Sequence, residues 1–230
     1  MATTIYSEED LPQGSERWLE ARAGLITAST VGQLITPAKK QLSKSETATG
    51  LMNTLIAERI TGRVEPIQES RAMLRGTLDE PYARAAYAEH YVPVTEVGFI
   101  VNDDHGYRMG YSPDGLVGDD GLIEIKSRNQ RIQLQTVLKD EVPAGNMAQM
   151  QMGMLVTGRE WCDYVSYSGG MALYVKRVLP DPEWFAVILE AVSAFEETAT
   201  NTISRYLDAV ANRPATEYID HFLDDVELNL

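Results

Sequence analysis

The chain has 230 residues, 44% of them apolar and 23% charged, a globular composition long enough to bury a sizeable core without disulfides or a structural metal. Its 34 acids against 20 bases give −14, which argues against a protein that coats nucleic acid through a basic surface but leaves room for a locally positive site. The single cysteine, Cys162, excludes an internal disulfide framework and a multi-cysteine zinc centre. The N-terminus lacks the basic and apolar regions of a secretory signal, and no apolar run approaches the roughly 20 residues of a membrane helix, so a cytoplasmic protein without membrane contact is expected.

Taken in chain order, residues 14–22 read as a short helix with Trp18, Leu19 and Ala23 to one side, and Thr27 or Ser29 caps a second that runs to about Ile35. Residues 37–45 carry Lys39, Lys40 and Lys44 with no acid and read as an exposed loop. Leu51, Leu55, Ala57 and Ile60 give 47–61 a helical spacing, and a longer helix follows over 70–91, where Pro81 marks a kink or a restart. The period then changes. Strands are expected at 95–101 and 107–111, joined by turn chemistry at 102–106, then at 116–117 and 122–126 around Gly118-Asp119-Asp120-Gly121. Helices return at 130–139 and 145–157, strands at 161–166 and 171–179, and a helix from Pro182 to Val210. This order predicts an α/β sheet flanked by helices, in one domain over 1–220, with an acidic tail at 221–230. Residues 181–230 hold eleven acids and two bases, or −9, against −5 for the other 180, and the run reads as a solvated helix face plus the tail.

The informative stretch is Tyr111-Ser112-Pro113-Asp114-Gly115 followed by Gly121-Leu122-Ile123-Glu124-Ile125-Lys126. Alternate strand residues share a face, so Glu124 and Lys126 point one way while Ile123 and Ile125 pack. If Asp114 meets Glu124, the pair offers hard anionic oxygens that suit Mg²⁺ or Mn²⁺ rather than zinc, beside an ammonium that orients water or offsets charge on phosphorus. Residue by residue, a blander reading stands beside this one: Asp-Gly is a common hairpin turn, and Glu and Lys on one strand face an ordinary surface pair.

Pro113-Asp114, a nine-residue gap and Glu124-x-Lys126 resemble the PD-(D/E)xK nuclease motif. Gln13-Gly14-Ser15, Trp18-Leu19, Arg22 and Gly24-Leu25-Ile26-Thr27-Ala28-Ser29, then Arg75-Gly76 with Glu80, Gly110 to Gly115, Leu122 to Lys126, and Met147-Ala148-Gln149-Met150-Gln151 follow in the order of one family. On these motifs, from about Gly14 to Leu179, the chain resembles the lambda exonuclease family, the YqaJ-like viral recombinases and alkaline exonucleases of phages and prophages.

The resemblance implies a restriction-endonuclease-like core with a central mixed sheet flanked by helices. It implies 5′→3′ digestion of linear double-stranded DNA to mononucleotides, leaving a 3′ strand, in the cytoplasm of a bacterial host. Asp114, Glu124 and the backbone carbonyl of Ile125 would bind two Mg²⁺ ions, with Mn²⁺ substituting, Glu80 joining as a ligand or through water, and Lys126 assisting the attacking water. Gln149 is expected in the site rather than Gln151, because residues two apart do not share a helix face. Arg22, Ser29 and Ser112 would hold the 5′-terminal phosphate, the arginine by its donor fork and the helix start at 27–29 by its N–H groups. Read alone, Ser29 is a helix cap and Arg22 a surface ion-pair partner. The resemblance also implies a ring-shaped homotrimer around the duplex and a partner that anneals single strands. Lys39, Lys40, Lys44, Arg128 and Arg131 are candidates for the DNA backbone or for plain solvated surface. A restriction-like or repair endonuclease with the same metal site, or a non-catalytic DNA-end-binding scaffold, remains open.

Overall fold

The computed structural model describes residues 3–65 and 70–219. The acidic stretch 221–230 lies outside them.

The chain opens with an exposed strand, β1 (Thr4–Tyr6), for which the sequence carries no alternation. Helix α1 (Glu16–Arg22) follows, its start fixed by Ser15, whose side chain accepts from the Trp18 N–H. Strand β2 (Ile26–Thr27) leads into α2 (Ala28–Val31), a 3-10 turn (Gly32–Leu34) and a two-residue hairpin of β3 (Ile35–Thr36) and β4 (Gln41–Leu42). The second helix is therefore much shorter than expected, and the lysine loop contains a strand. Thr30 fixes the start of that helix, its hydroxyl accepting from the Thr27 N–H at 3.1 Å, and the chain passes into the 3-10 turn at Gly32.

Helices α3 (Glu46–Thr61) and α4 (Arg71–His90) are capped by the hydroxyls of Ser45 and Ser70. Pro81 lies inside α4, which continues through it rather than restarting. Strands β5 (Phe99–Asn102), β6 (Met109–Tyr111), β7 (Gly115–Val117) and β8 (Gly121–Ser127) come next. Then come α5 (Gln130–Lys139), α6 (Ala144–Thr157), β9 (Trp161–Tyr167), β10 (Tyr174–Val178) and α7 (Pro182–Val210). The expected first strand is trimmed at its N-terminal end, where Thr95 makes only an isolated bridge to Leu116.

Two four-stranded sheets result. One runs β1-β5-β6-β2, with β2 parallel to β6 and the other pairs antiparallel. The other runs β10-β9-β8-β7, with β8 parallel to β9 across the α5–α6 crossover. Both are mixed. Helix α6 is buried along most of its length and packs against β5, β6, β8 and β9 and against α2 and α7. It reads apolar on all sides because it is a core helix. At Gly153 the ring of Tyr111 approaches so closely that a Cβ would stand 2.8 Å from it.

Candidate active site

The site forms where β8 meets the turn after β6. Glu124 and Lys126 share one face of β8, as the alternation requires, and Lys126 Nζ donates to Glu124 Oε1 at 2.5 Å. Ile123 and Ile125 point to the opposite face, packing with Ala83 and Tyr87 of α4. Glu124 is fully buried, and the Tyr111 hydroxyl donates to its second oxygen at 3.4 Å. Asp114 reaches the same strand: its Oδ2 accepts from the Ile125 N–H at 2.5 Å. That bond ties the turn to the strand, and Ile125 lines one cleft together with Asp114 and Glu80.

Helix α4 supplies Glu80 and, one turn on, Arg84. The Arg84 guanidinium donates to Glu80, to Glu96 Oε2 at 2.6 Å and to the Asp114 carbonyl at 2.7 Å. Arg84 thus ties the third carboxylate to the loop that carries the first. No motif marks Arg84; the signal for it in the sequence is its i+4 spacing from Glu80 on a helix.

Burial and mutual repulsion shift these groups. Burial, then the charge of Asp114, raises the Glu80 carboxyl to about 7 against the pull of Arg84. Burial raises Glu124 to about 7, with Lys126 opposing and Asp114 adding to it. Burial raises Asp114 as well. Burial alone would lower Lys126, but Glu124 and Asp114 outweigh it, so the ammonium is held above the usual lysine value and stays charged. Among the described residues no three His, Cys, Asp or Glu side chains already converge as a ligand set. Lys126 occupies Glu124 and Arg84 occupies Glu80 instead. The donor chemistry nevertheless fits a hard dication: carboxylates crowded enough to raise one another's proton affinity are relieved by a positive charge among oxygens.

The two glutamines of α6 part as the helix geometry requires. Gln149 accepts from Lys126 Nζ at 3.1 Å. Gln151 is fully buried elsewhere, donating to the Leu179 carbonyl and accepting from the Asp181 N–H, both at 2.9 Å.

Two clefts open on this centre. The smaller, about 250 Å³, is lined by Arg22, Ser29 and Ser112 together with Trp18, Thr27 and Gln149. The larger, about 470 Å³, is lined by Arg75, Glu80, Ser127 and Arg128. Asp114 and Lys126 line both.

The smaller cleft brings together all three residues expected to hold a phosphate. Arg22 Nη2 donates to Ser29 Oγ at 3.4 Å and Thr27 Oγ1 at 3.5 Å, and its guanidinium lies 4.0 Å over the Trp18 ring. Trp18 Nε1 donates to Ser112 Oγ at 3.1 Å. Ser29 is not the cap; Thr27 holds that position. Of the N–H groups expected at the helix start, that of Thr27 is taken by the Thr30 hydroxyl, and the polar lining of the cleft includes the Arg22 guanidinium and the hydroxyls of Thr27, Ser29 and Ser112.

Behind them stands Glu58, buried on α3, which accepts from the Gly24 N–H at 2.8 Å and whose charge favours the Arg22 cation against burial. Gly24 has φ +67°, and a Cβ there would meet Arg59 Cγ at 2.3 Å. No local pattern in the sequence marks Glu58, since its partner lies 34 residues away.

Lys40 is not free for DNA: it donates to Asp181 and Glu183 at 2.6 Å each. Arg128 Nη2 is bound to Asn146 and Tyr164.

The model of the YqaJ-like viral recombinase domain matches residues 17–160. Among solved structures, the alkaline exonuclease LHK-Exo from Laribacter hongkongensis is similar, at 36% identity and a TM-score of 0.77 over 87% of this chain and all of that one; it is also solved in complex with dAMP. A phage-related exonuclease from Haemophilus somnus 129PT shares the fold at 14% identity and a TM-score of 0.55, over 79% of this chain and 96% of that one. No protein of curated description matches the sequence. No described helix is long and apolar enough to cross a membrane. The mixed sheet that carries Glu124 and Lys126, with Asp114 on the turn that leads into β7, is a PD-(D/E)xK core. With the family model covering more than half of its residues and a 36%-identical relative matched over that relative's full length, the chain belongs to the YqaJ-like viral recombinase family.

Proposed function

We propose that the protein is a Mg²⁺-dependent exonuclease that digests one strand of linear double-stranded DNA in the 5′→3′ direction, releasing 5′-mononucleotides and leaving a 3′ single strand for recombination by annealing. The observation that carries this reading is the shared wall. A pocket lined by Arg22, Ser29 and Ser112 abuts Asp114 and Lys126, the same two residues that line the acidic cleft. A terminal phosphate bound there sets the first phosphodiester against the acids, so one nucleotide leaves per turnover. Family membership and the similarity to an alkaline exonuclease also seen with dAMP support the reaction class.

Asp114, Glu124 and the Ile125 carbonyl would hold two Mg²⁺ ions, with Glu80 directly or through water, and Mn²⁺ would substitute. When bound, such ions act as Lewis acids on the phosphate and lower the pKa of bound water. Lys126, a cation pinned between Glu124 and Gln149, orients the attacking water and offsets charge on phosphorus. Gln149 uses its carbonyl on Lys126, leaving its amide to donate to a phosphate oxygen. Arg22 grips the terminal phosphate with its fork while the Trp18 N–H turns the Ser112 hydroxyl into a donor. A homotrimeric ring threaded by the duplex, a single-strand annealing partner and a bacterial cytoplasmic setting complete the proposal.

The test uses linear duplex with 5′-phosphate or 5′-hydroxyl ends, with Mg²⁺, with EDTA, and with Asp114→Ala protein. Mononucleotide release is expected only from wild type with Mg²⁺, faster on phosphorylated ends. Equal release in EDTA or from Asp114→Ala would sink the metal mechanism. Nicking of circular plasmid at a similar rate would favour an endonuclease.

A further inference from the structure

The larger cleft begins at Asp114 and Lys126 and continues past the acids along Arg75, Ser127 and Arg128. Both arginines are anchored by one nitrogen, with the rest of the fork uncommitted among the described residues. Arg75 Nε donates to Ser127 Oγ at 3.1 Å, and Ser127 in turn donates to Asp79 at 2.6 Å. Arg128 Nη2 donates to Asn146 Oδ1 at 2.8 Å and to the hydroxyl of buried Tyr164 at 3.1 Å. Its Nε is the one buried side-chain polar atom among the described residues with no hydrogen-bond partner. A buried donor without a partner is costly, and it persists where something else over-determines the position of the group. A held guanidinium with spare N–H groups can meet a phosphodiester oxygen, and at Arg128 the nitrogen left for one is Nη1, since Nη2 is committed and Nε is buried.

We propose that this cleft is a clamp for the remainder of the strand being digested, in which Arg75 and Arg128 hold the phosphodiester that follows the bond being cut. The inference rests on the smaller cleft holding the terminal phosphate. A strand with its end there and its first linkage at the shared wall must continue into the other space on which Asp114 and Lys126 open. The terminal phosphate fixes where cutting occurs, and the clamp keeps the shortened strand on the enzyme for the next cut.

The test places one uncharged methylphosphonate in a 5′-phosphorylated duplex, at the linkage after the scissile one or deep within the duplex as a control. Rates of first-nucleotide release in Mg²⁺ and binding of the duplex end in EDTA are then measured. For wild type the near replacement should slow release and weaken binding roughly tenfold, and the deep one should do neither. Arg75→Gln and Arg128→Gln should each be roughly tenfold slower on native DNA yet lose less than about twofold more from the near replacement, since the partner of the lost charge is already gone. Arg128→Lys should restore only part of the loss, because one ammonium cannot hold Asn146 and Tyr164 and meet the phosphate as well. Arg75 is exposed, so Arg75→Gln carries the test even if losing the Arg128 contact to Tyr164 impairs folding. The clamp is overturned if wild type ignores the near replacement, or if both variants lose the full factor from it. Failure of wild type to release any nucleotide from a phosphorylated end would instead overturn the end-pocket reading, and the clamp with it.

Discussion

Gln149 and Gln151 show what a single residue's environment decides. They are the same residue type, two apart on one helix, and 3.6 residues per turn sends them to different places. Gln149 faces Lys126, and Gln151 closes the junction between β10 and α7. Gln151→Ala would orphan the Asp181 N–H and the Leu179 carbonyl inside the fold. We expect a loss of about 2 to 3 kcal/mol, and a melting temperature lower by roughly 4 to 10 °C, with activity per folded molecule kept. Gln149→Ala should do the reverse, melting within about 2 °C of wild type while releasing nucleotide at least roughly tenfold more slowly. Thermal melts beside turnover measurements check both, and a common pattern for the two variants would remove Gln149 from the site. The lysines teach the opposite lesson. Lys39, Lys40 and Lys44 look alike in sequence, yet Lys40 is bound by two carboxylates about 140 residues away, which no local pattern marks.

At the scale of elements, long periodic segments were legible in the sequence and short ones were not. Helices α3 to α7 and strands β8 and β9 lie within a few residues of their expected positions, because each runs long enough for its spacing or alternation to show before a turn signal ends it. Strand β1 was missed since all three of its residues are exposed and only pairing with β5 defines it. Helix α2 gives way to a 3-10 turn at Gly32, a change that no apolar spacing marks. Of the candidate site, the meeting of the acids with the lysine and the gathering of Arg22, Ser29 and Ser112 in one cleft were legible through motifs, whereas Arg84 and Glu58 required the packing of α4 and α3. Gly153 was unreadable for the same reason: a glycine in a helix looks like a defect until the Tyr111 ring is seen against it. Gly153→Ala should push that ring, costing about 1 to 3 kcal/mol and displacing the Tyr111 hydroxyl from Glu124. Circular-dichroism melts measure this, and an alanine variant as stable as wild type would show that the ring yields freely.

Over the whole molecule, net charge hid two separate arrangements. Part of the C-terminal acidity is not a solvated face, since Asp181, Glu183 and Glu196 bind Lys40 and Arg59 and so fasten α7 to the N-terminal third. The acids around Asp114 are a different matter, because burial and mutual repulsion outweigh the pull of Lys126 and Arg84 in the protein alone. Glu80 and Glu124 titrate near 7, above the 4.5 of a free glutamate side chain. The metal-free folded state therefore binds more protons than the unfolded chain between those values. Its stability is fully present below about 4.5 and is lost as pH rises to about 7. A dication that binds the ionised forms reverses the sign: it competes with protons below 7 and binds freely above it. The gap between melting temperatures in Mg²⁺ and in EDTA should thus be small near about pH 5.5 and several degrees wider near about pH 8. Glu80→Gln should flatten that dependence by removing one of the two titrating groups. A gap that stays constant across this range would show that Glu80 and Glu124 do not bind the metal, and the active centre would have to be sought elsewhere on the fold.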